Sequence, residues 1–121
     1  MTERTQIGEF TATVVGLLDL DVEIGTPIFV GESNIQHMQK SHSKVYKKYG
    51  ARISKIINEP DYVGKRVDGT VEFVKAFGMY IKVAVRVTST GDFYARTIFH
   101  KDRKAAERLI EAGEWKPVKS S

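Results

Sequence analysis

The chain has no cysteine among its 121 residues, which excludes a disulfide framework and a thiolate-bound zinc and makes the cytoplasm the default location. Nor does any apolar run approach the roughly 20 residues that a membrane helix needs. The first residues, MTERTQIGEF, lack the apolar segment behind a basic start that marks a secretory signal. Internal repeats, low-complexity tracts and linkers are missing too, so the length predicts one domain, 1–121, around a single core. Basic residues are scarce at the front. Residues 1–35 carry Arg4 alone against six acidic residues, a balance of −5, whereas the remainder carries 18 basic against nine acidic residues, a balance of +9. A basic body favours an anionic partner, nucleic acid first, through phosphate contacts and counterion release. A solvated surface with modest excess charge is the plainer alternative, and charge alone does not decide between them.

Residues 10–21, FTATVVGLLDLD, suit a strand by composition and a short helix by apolar spacing, while PIFVG at 27–31 reads as a strand. Ser33 with Gln36 has the form of a capping box. Behind it the apolar positions Ile35, Met38, Val45, Tyr46, Tyr49, Ile53, Ile56 and Ile57 follow a helical period, with a break expected at Gly50 or within SHS at 41–43. From Tyr62 the period becomes two. TVEFVKAF (70–77), MYIKVAVRV (79–87) and FYARTIF (93–99) read as antiparallel strands, the last two joined through a turn at Gly91. A closing helix has Asp102 as its N-cap and Gly113 beyond its end. The expected fold is α+β: N-terminal helices on a three- to four-stranded antiparallel sheet, then a C-terminal helix.

NIQHMQKSH (34–42) holds two of the three histidines. Five residues on a helix separate His37 and His42 by about 140°, so they cannot share a metal as an i, i+4 pair does, and no third ligand is at hand. No metal and no cofactor is expected. His42 falls in the apolar stripe and should face the sheet; His37 should face outward if the helix is continuous. A hydrogen-bonded core histidine and a surface histidine would explain the pair equally well, whereas a break at 41–43 would bring both rings to one cleft.

The order of I-x-H-M-x-K-S-H, I-x-x-I-I-N-E-P-D-Y-V, V-E-F-V-K, Y-I-K-V-A-V-R-V and F-Y-A-R-T-I-F resembles the phage- and mobile-element-encoded nuclease-like domains grouped with barnase, EndoU, the tRNase colicins and RelE. The likeness spans roughly residues 28–113. It implies helices packed on a four-stranded antiparallel sheet and metal-independent RNA cleavage, with a histidine from the helical part and basic and hydroxyl residues from the sheet. RNA, tRNA included, is then the expected partner, and an antitoxin or immunity protein the expected protein partner of such a toxin-like nuclease.

The chemistry needs a base for the 2′-hydroxyl, an acid for the leaving 5′-oxygen and positive charge on the transition state. Histidine suits the first two roles and arginine the third. His42 is the first choice for acid or base, with His37 as its partner or as a substrate contact. A hairpin turning at Thr90–Gly91 pairs residues whose numbers sum to 181; it puts Ile81, Val83, Val85, Val87, Tyr94, Arg96 and Ile98 on the better core face, and Lys82, Ala84, Arg86, Phe93, Ala95, Thr97 and Phe99 on the other. Arg96 and Thr97 match the resemblance best, yet neighbours on a strand point to opposite faces, so only one of them acts unless a bulge or the strand's end reconciles them. Arg96 and Arg86 are the expected phosphate stabilisers, Thr97 orients the phosphate, and Lys82, Lys44 and Lys48 are further substrate-binding candidates. Plain alternatives are an ion pair of Arg96 with Glu72, a solvated sheet face for Lys82 and Arg86, and a solvated helix face for Lys44 and Lys48. Glu72, a weaker candidate base, reads as an exposed strand position. The rivals to a ribonuclease are a non-catalytic RNA- or protein-binding module of the same fold and a small interaction protein whose histidine serves only the core.

Overall fold

The computed structural model describes residues 3–118. The chain runs β1 (Arg4–Glu9), α1 (Ala12–Leu18), β2 (Pro27–Gly31), α2 (Glu32–Ser41), α3 (Ser43–Tyr49), a 3₁₀ turn at Gly50–Arg52 and α4 (Ile53–Asn58). Then come β3 (Tyr62–Lys65), β4 (Val71–Phe77), β5 (Met79–Val87), β6 (Phe93–Lys101), α5 (Arg103–Glu111) and β7 (Lys116–Pro117). Residues 10–21 resolve as a helix: Thr11 caps it by accepting from the Val14 N–H, and Asp19 ends it in the left-handed region at φ 50°.

The strands form one sheet in the order β1-β2-β6-β5-β4-β3-β7. The fold is α+β, but the sheet has seven strands among the described residues rather than three or four. It is also mixed, because β2 and β6 run parallel through Ile28–Phe93 and Phe29–Tyr94. The helices are not gathered ahead of the sheet either: a strand precedes α1, and β2 separates α1 from α2. β1 escapes a periodicity reading because it is a polar edge with an irregularity between Gln6 and Gly8. Two-residue β7 has no period at all. β1 and β2, both within the acidic first 35 residues, are therefore integral to the sheet.

The main core lies on one face. Ile53, Ile56 and Ile57 of α4 and Val14 and Leu18 of α1 bury against Phe73, Val83, Val85, Ala95 and Ile98 of the central strands, with Phe10 wedged edge-on against Phe93. A smaller cluster on the opposite face joins Val74, Ala106 and Trp115 under α5. Trp115 comes so close to β3 that a Cβ at Gly64 would lie 2.5 Å from the Glu114 carbonyl oxygen and 2.9 Å from the indole. α5 begins and ends as expected: Asp102 accepts from the Ala105 N–H at 2.8 Å, and Gly113 takes φ 78°.

Two features position the site. The helical segment breaks at His42 (φ −134°, ψ 43°), which ends α2 and starts α3. The helix start lies two residues earlier than Ser33 predicts. Gly31 is the N-cap, and the Asn34 side-chain oxygen accepts from its N–H at 2.9 Å. Ser33 is thereby released from capping.

The second feature is a bulge. From Ile81–His100 to Ala84–Thr97 the β5–β6 partners sum to 181 as expected, but Val85 then pairs with Ala95, Arg86 with Tyr94 and Val87 with Phe93. Arg96 is the extra residue. One added residue flips every position before it, so Phe93 and Ala95 face the main core and Tyr94 the opposite side, reversing the expected assignment.

Candidate active site

Between α2 and the end of the sheet covered by α5 lies a cleft of about 650 Å³. α2 contributes Ser33, Asn34 and His37, which the i, i+3 and i, i+4 geometry sets on one flank while Met38 turns to the core. The β3–β4 turn contributes Arg66, Asp68 and Thr70. The floor comes from Glu72, Lys82, Ala84, Arg86, Arg96, Thr97 and Phe99. The bulge is what lets Arg96 and Thr97, adjacent in sequence, line the same space.

The electrostatics are layered. Glu72 is buried, not exposed, and accepts from Trp115 Nε1 at 3.1 Å. Its other oxygen lies 2.9 Å from Lys82 Nζ and 3.6 Å from the Arg66 guanidinium. Lys82 is buried as well, its ammonium 4.9 Å from the centre of the Phe99 ring. This ion pair is part of the floor, and its charge is already compensated. Arg86 lies 4.0 Å from Asp68 with both side chains about half exposed. The Asp68 carboxyl is held below its ordinary value, first by the Thr70 N–H and then by the Thr70 hydroxyl and the nearby arginines. Arg96 has no ion pair among the described residues and is exposed. The alternative of an Arg96–Glu72 ion pair is not realised: Glu72 pairs with Lys82 and Arg66 instead. Four cations thus meet two carboxylates in the cleft, and Arg96 is the least committed of the four.

The histidines divide. His37 is exposed and opens into the cleft; His42 is half-buried outside it, edge-on to Phe99 with 4.4 Å between ring centres. His42 lines a neighbouring depression with Lys44 and His100. The two imidazoles stand 5.9 Å apart, brought together by the break at His42. Lys48 stays on α3, 5.4 Å from the ring of Tyr49, and neither it nor Lys44 lines the cleft. The structure thus unites His37, Arg96, Thr97, Arg86 and Lys82, sets His42 and Lys44 next door, and leaves Lys48 outside. The sequence does not mark Ser33, Asn34, Arg66, Asp68 or Thr70 as site residues, and it offers Ser33 only as a helix cap. For Ser33 and Asn34 the signal was their helical spacing from His37; for the turn residues there was none.

Burial lowers the His42 pKa from its ordinary value, and the charge of His37 lowers it further. The folded protein therefore binds that proton less readily than the unfolded chain. The corresponding stability is fully present above the unfolded value, about 6.5, and is lost as pH falls through the folded one. Thermal midpoints should accordingly decline as pH drops below about 6.5, and a His42→Gln variant should flatten that part of the curve. An identical decline in both proteins would rule His42 out as its source.

No curated protein and no solved structure matches the chain. One family model does, over residues 5–108, a span that contains every residue lining the cleft. The chain therefore belongs to the family described as phage-Barnase-EndoU-ColicinE5/D-RelE like nuclease3.

Proposed function

We propose that the protein is a metal-independent endoribonuclease that cuts RNA, tRNA among its candidate substrates, by attack of the substrate's own 2′-hydroxyl. The observation that carries this reading is the convergence of one imidazole, an uncommitted arginine and a hydroxyl, His37, Arg96 and Thr97, in a single cationic cleft. Arg96, supported by Arg86, pairs with the non-bridging phosphate oxygens, and the Thr97 hydroxyl donates to one of them. These cations supply the charge that a pentacoordinate phosphorus requires, and both carboxylates in the cleft already have cationic neighbours.

A base takes the proton from the 2′-oxygen as that oxygen bonds to phosphorus. The bond to the 5′-oxygen then breaks, and an acid returns a proton to it. His37 is the group facing the phosphate, and His42 is the second imidazole of the pair. Burial, and then the nearby His37, hold the His42 pKa below its ordinary value, so that imidazole favours the neutral form that a base needs. Lys82 holds the floor through Glu72, whereas Lys44, beside His42, and Lys48, farther along α3, extend the cationic surface toward a longer RNA. The toxin-like role, an antitoxin or immunity partner and a cytoplasmic location belong to this proposal; no helix among the described residues is long and apolar enough to cross a membrane.

Cleavage in the presence of a chelator tests the reading. RNA should yield 2′,3′-cyclic phosphate and 5′-hydroxyl ends, DNA should survive, and binding should weaken steeply with salt. Chelator-sensitive cleavage or equal cutting of DNA would exclude the mechanism. Salt-sensitive RNA binding without cleavage would favour the non-catalytic binding module instead.

A further inference from the structure

Beside the cleft, and sharing Ser33, Asn34 and Arg96 with it, lies a second depression of about 360 Å³ that none of the proposed chemistry uses. Its remaining lining includes Gly31, Tyr94 and the β5–β6 turn residues Thr88, Ser89 and Thr90. Its size is within the range of about 300–1,000 Å³ typical of small-molecule sites. We propose that this depression is a nucleobase subsite, with Tyr94 as its stacking platform, and that it takes the base of an unpaired nucleotide adjoining the scissile phosphate. The proposal rests on the nuclease reading for the position of that phosphate.

Three observations carry it. The Tyr94 ring is held in place: its hydroxyl accepts from the Arg4 guanidinium at 3.3 Å, and its ring centre lies 5.9 Å from that of Phe29. Arg4 is itself fixed, 3.2 Å from Asp92 and 3.9 Å above Phe29. A pre-ordered aromatic is what base stacking requires. Second, a glycine lines the space between the ring and the Asn34 amide. A Cβ at Gly31 would come 3.6 Å from the Tyr94 ring and 3.3 Å from the Asn34 side-chain oxygen. Third, the polar edge has a defined sense. The Gly31 N–H can only donate, so the Asn34 oxygen must face it, and the Asn34 Nδ2 is left as a donor without a partner among the described residues. A base stacked on Tyr94 would present its acceptors to that amide and to the Ser33 hydroxyl. Arg96, common to both spaces, then holds the phosphate next to the bound base. A base inside a duplex keeps its faces covered by its neighbours, so the subsite selects unpaired RNA.

The test uses short oligonucleotides with one ribonucleotide, hence one cleavable bond, made abasic on either side of that bond in turn. Removing the base that occupies the subsite should lower kcat/KM of the wild-type protein about 10- to 100-fold, the range of one base–aromatic stack, and removing the other should have much less effect. Tyr94→Ala should show a similar loss with the intact substrate and almost no further loss with the abasic one, whereas Tyr94→Phe keeps the base dependence. An undiminished abasic penalty in Tyr94→Ala would overturn the proposal. A binding arm separates this result from failure of the nuclease reading. Adenosine and uridine 3′-monophosphates are titrated while the Tyr94 ring resonances are followed. If no oligonucleotide is cut, the nuclease reading fails. Binding that shifts those resonances and weakens about tenfold in Tyr94→Ala still supports the subsite; no binding, or binding without the shift, removes it.

Discussion

Replacing His37 by alanine should lower the rate of RNA cleavage about 10²-fold or more, the contribution of a positioned acid or base, while leaving RNA affinity nearly intact. His37 is exposed, and its side chain makes no hydrogen bond among the described residues, so the thermal midpoint should not move. The interpretation is cleaner than for His42→Ala, which also removes a ring packed on Phe99 at the junction of two helices and should lose both activity and stability. Arg96→Ala should weaken affinity and rate together, since an arginine holds the phosphate before and during reaction. A folded His37→Ala variant with the wild-type rate would remove this histidine from the chemistry.

Lys82→Met should produce the largest loss of stability, about 3–5 kcal/mol, because it strips a buried carboxylate of its closest cation. Domains of this kind are stable by about 5–15 kcal/mol in total, so much of the population could unfold near physiological temperature. The Arg66 guanidinium, 3.6 Å from Glu72 but mostly exposed, can replace only part of the lost interaction. The double variant Glu72→Gln/Lys82→Met should recover most of the stability, since glutamine can still accept from Trp115 without a buried charge. Urea unfolding of the two variants checks both statements. A single-variant loss below about 1 kcal/mol would mean that the pair behaves as a solvent-screened surface pair.

Much of the fold was legible because its central strands and its capped helices obey simple periods. β4, β5 and β6, the Asp102 cap and the Gly113 terminus stand where alternation and capping chemistry place them. The polar edge strand β1 and two-residue β7 were not, since pairing with a neighbour defines them more than their own side chains do. The Ser33 cap failed for a local reason: the helix starts two residues earlier at Gly31, whose N–H is satisfied by the Asn34 side chain.

The site was half legible for the same kind of reason. Residue types suited to phosphate chemistry stood out, but which of them share a cleft depends on two irregularities, the break at His42 and the bulge at Arg96. The sequence offers the break as one option at 41–43 and a bulge as one of two ways to reconcile Arg96 with Thr97, but it does not show that Tyr94 turns away from the core. Glu72 reads as an exposed alternating position until the strand's second face is covered by Trp115 and α5, whose approach depends on contacts far apart in the chain.

The joint between β2 and β6 has a consequence for how the protein comes into being. Ile28 and Phe93 are partners there, so the front of the chain cannot complete the sheet until nearly all the rest exists. The helix that carries His37 and the one that follows His42 have ten and seven residues, below the roughly 12–15 at which isolated helices become even marginally stable. A chain still emerging from the ribosome therefore has its imidazoles long before it has Arg96 and Thr97, and nothing to hold them in place. The cleft forms only once β6 is in place, so a growing chain that has not yet made β6 carries its imidazoles without the assembled site.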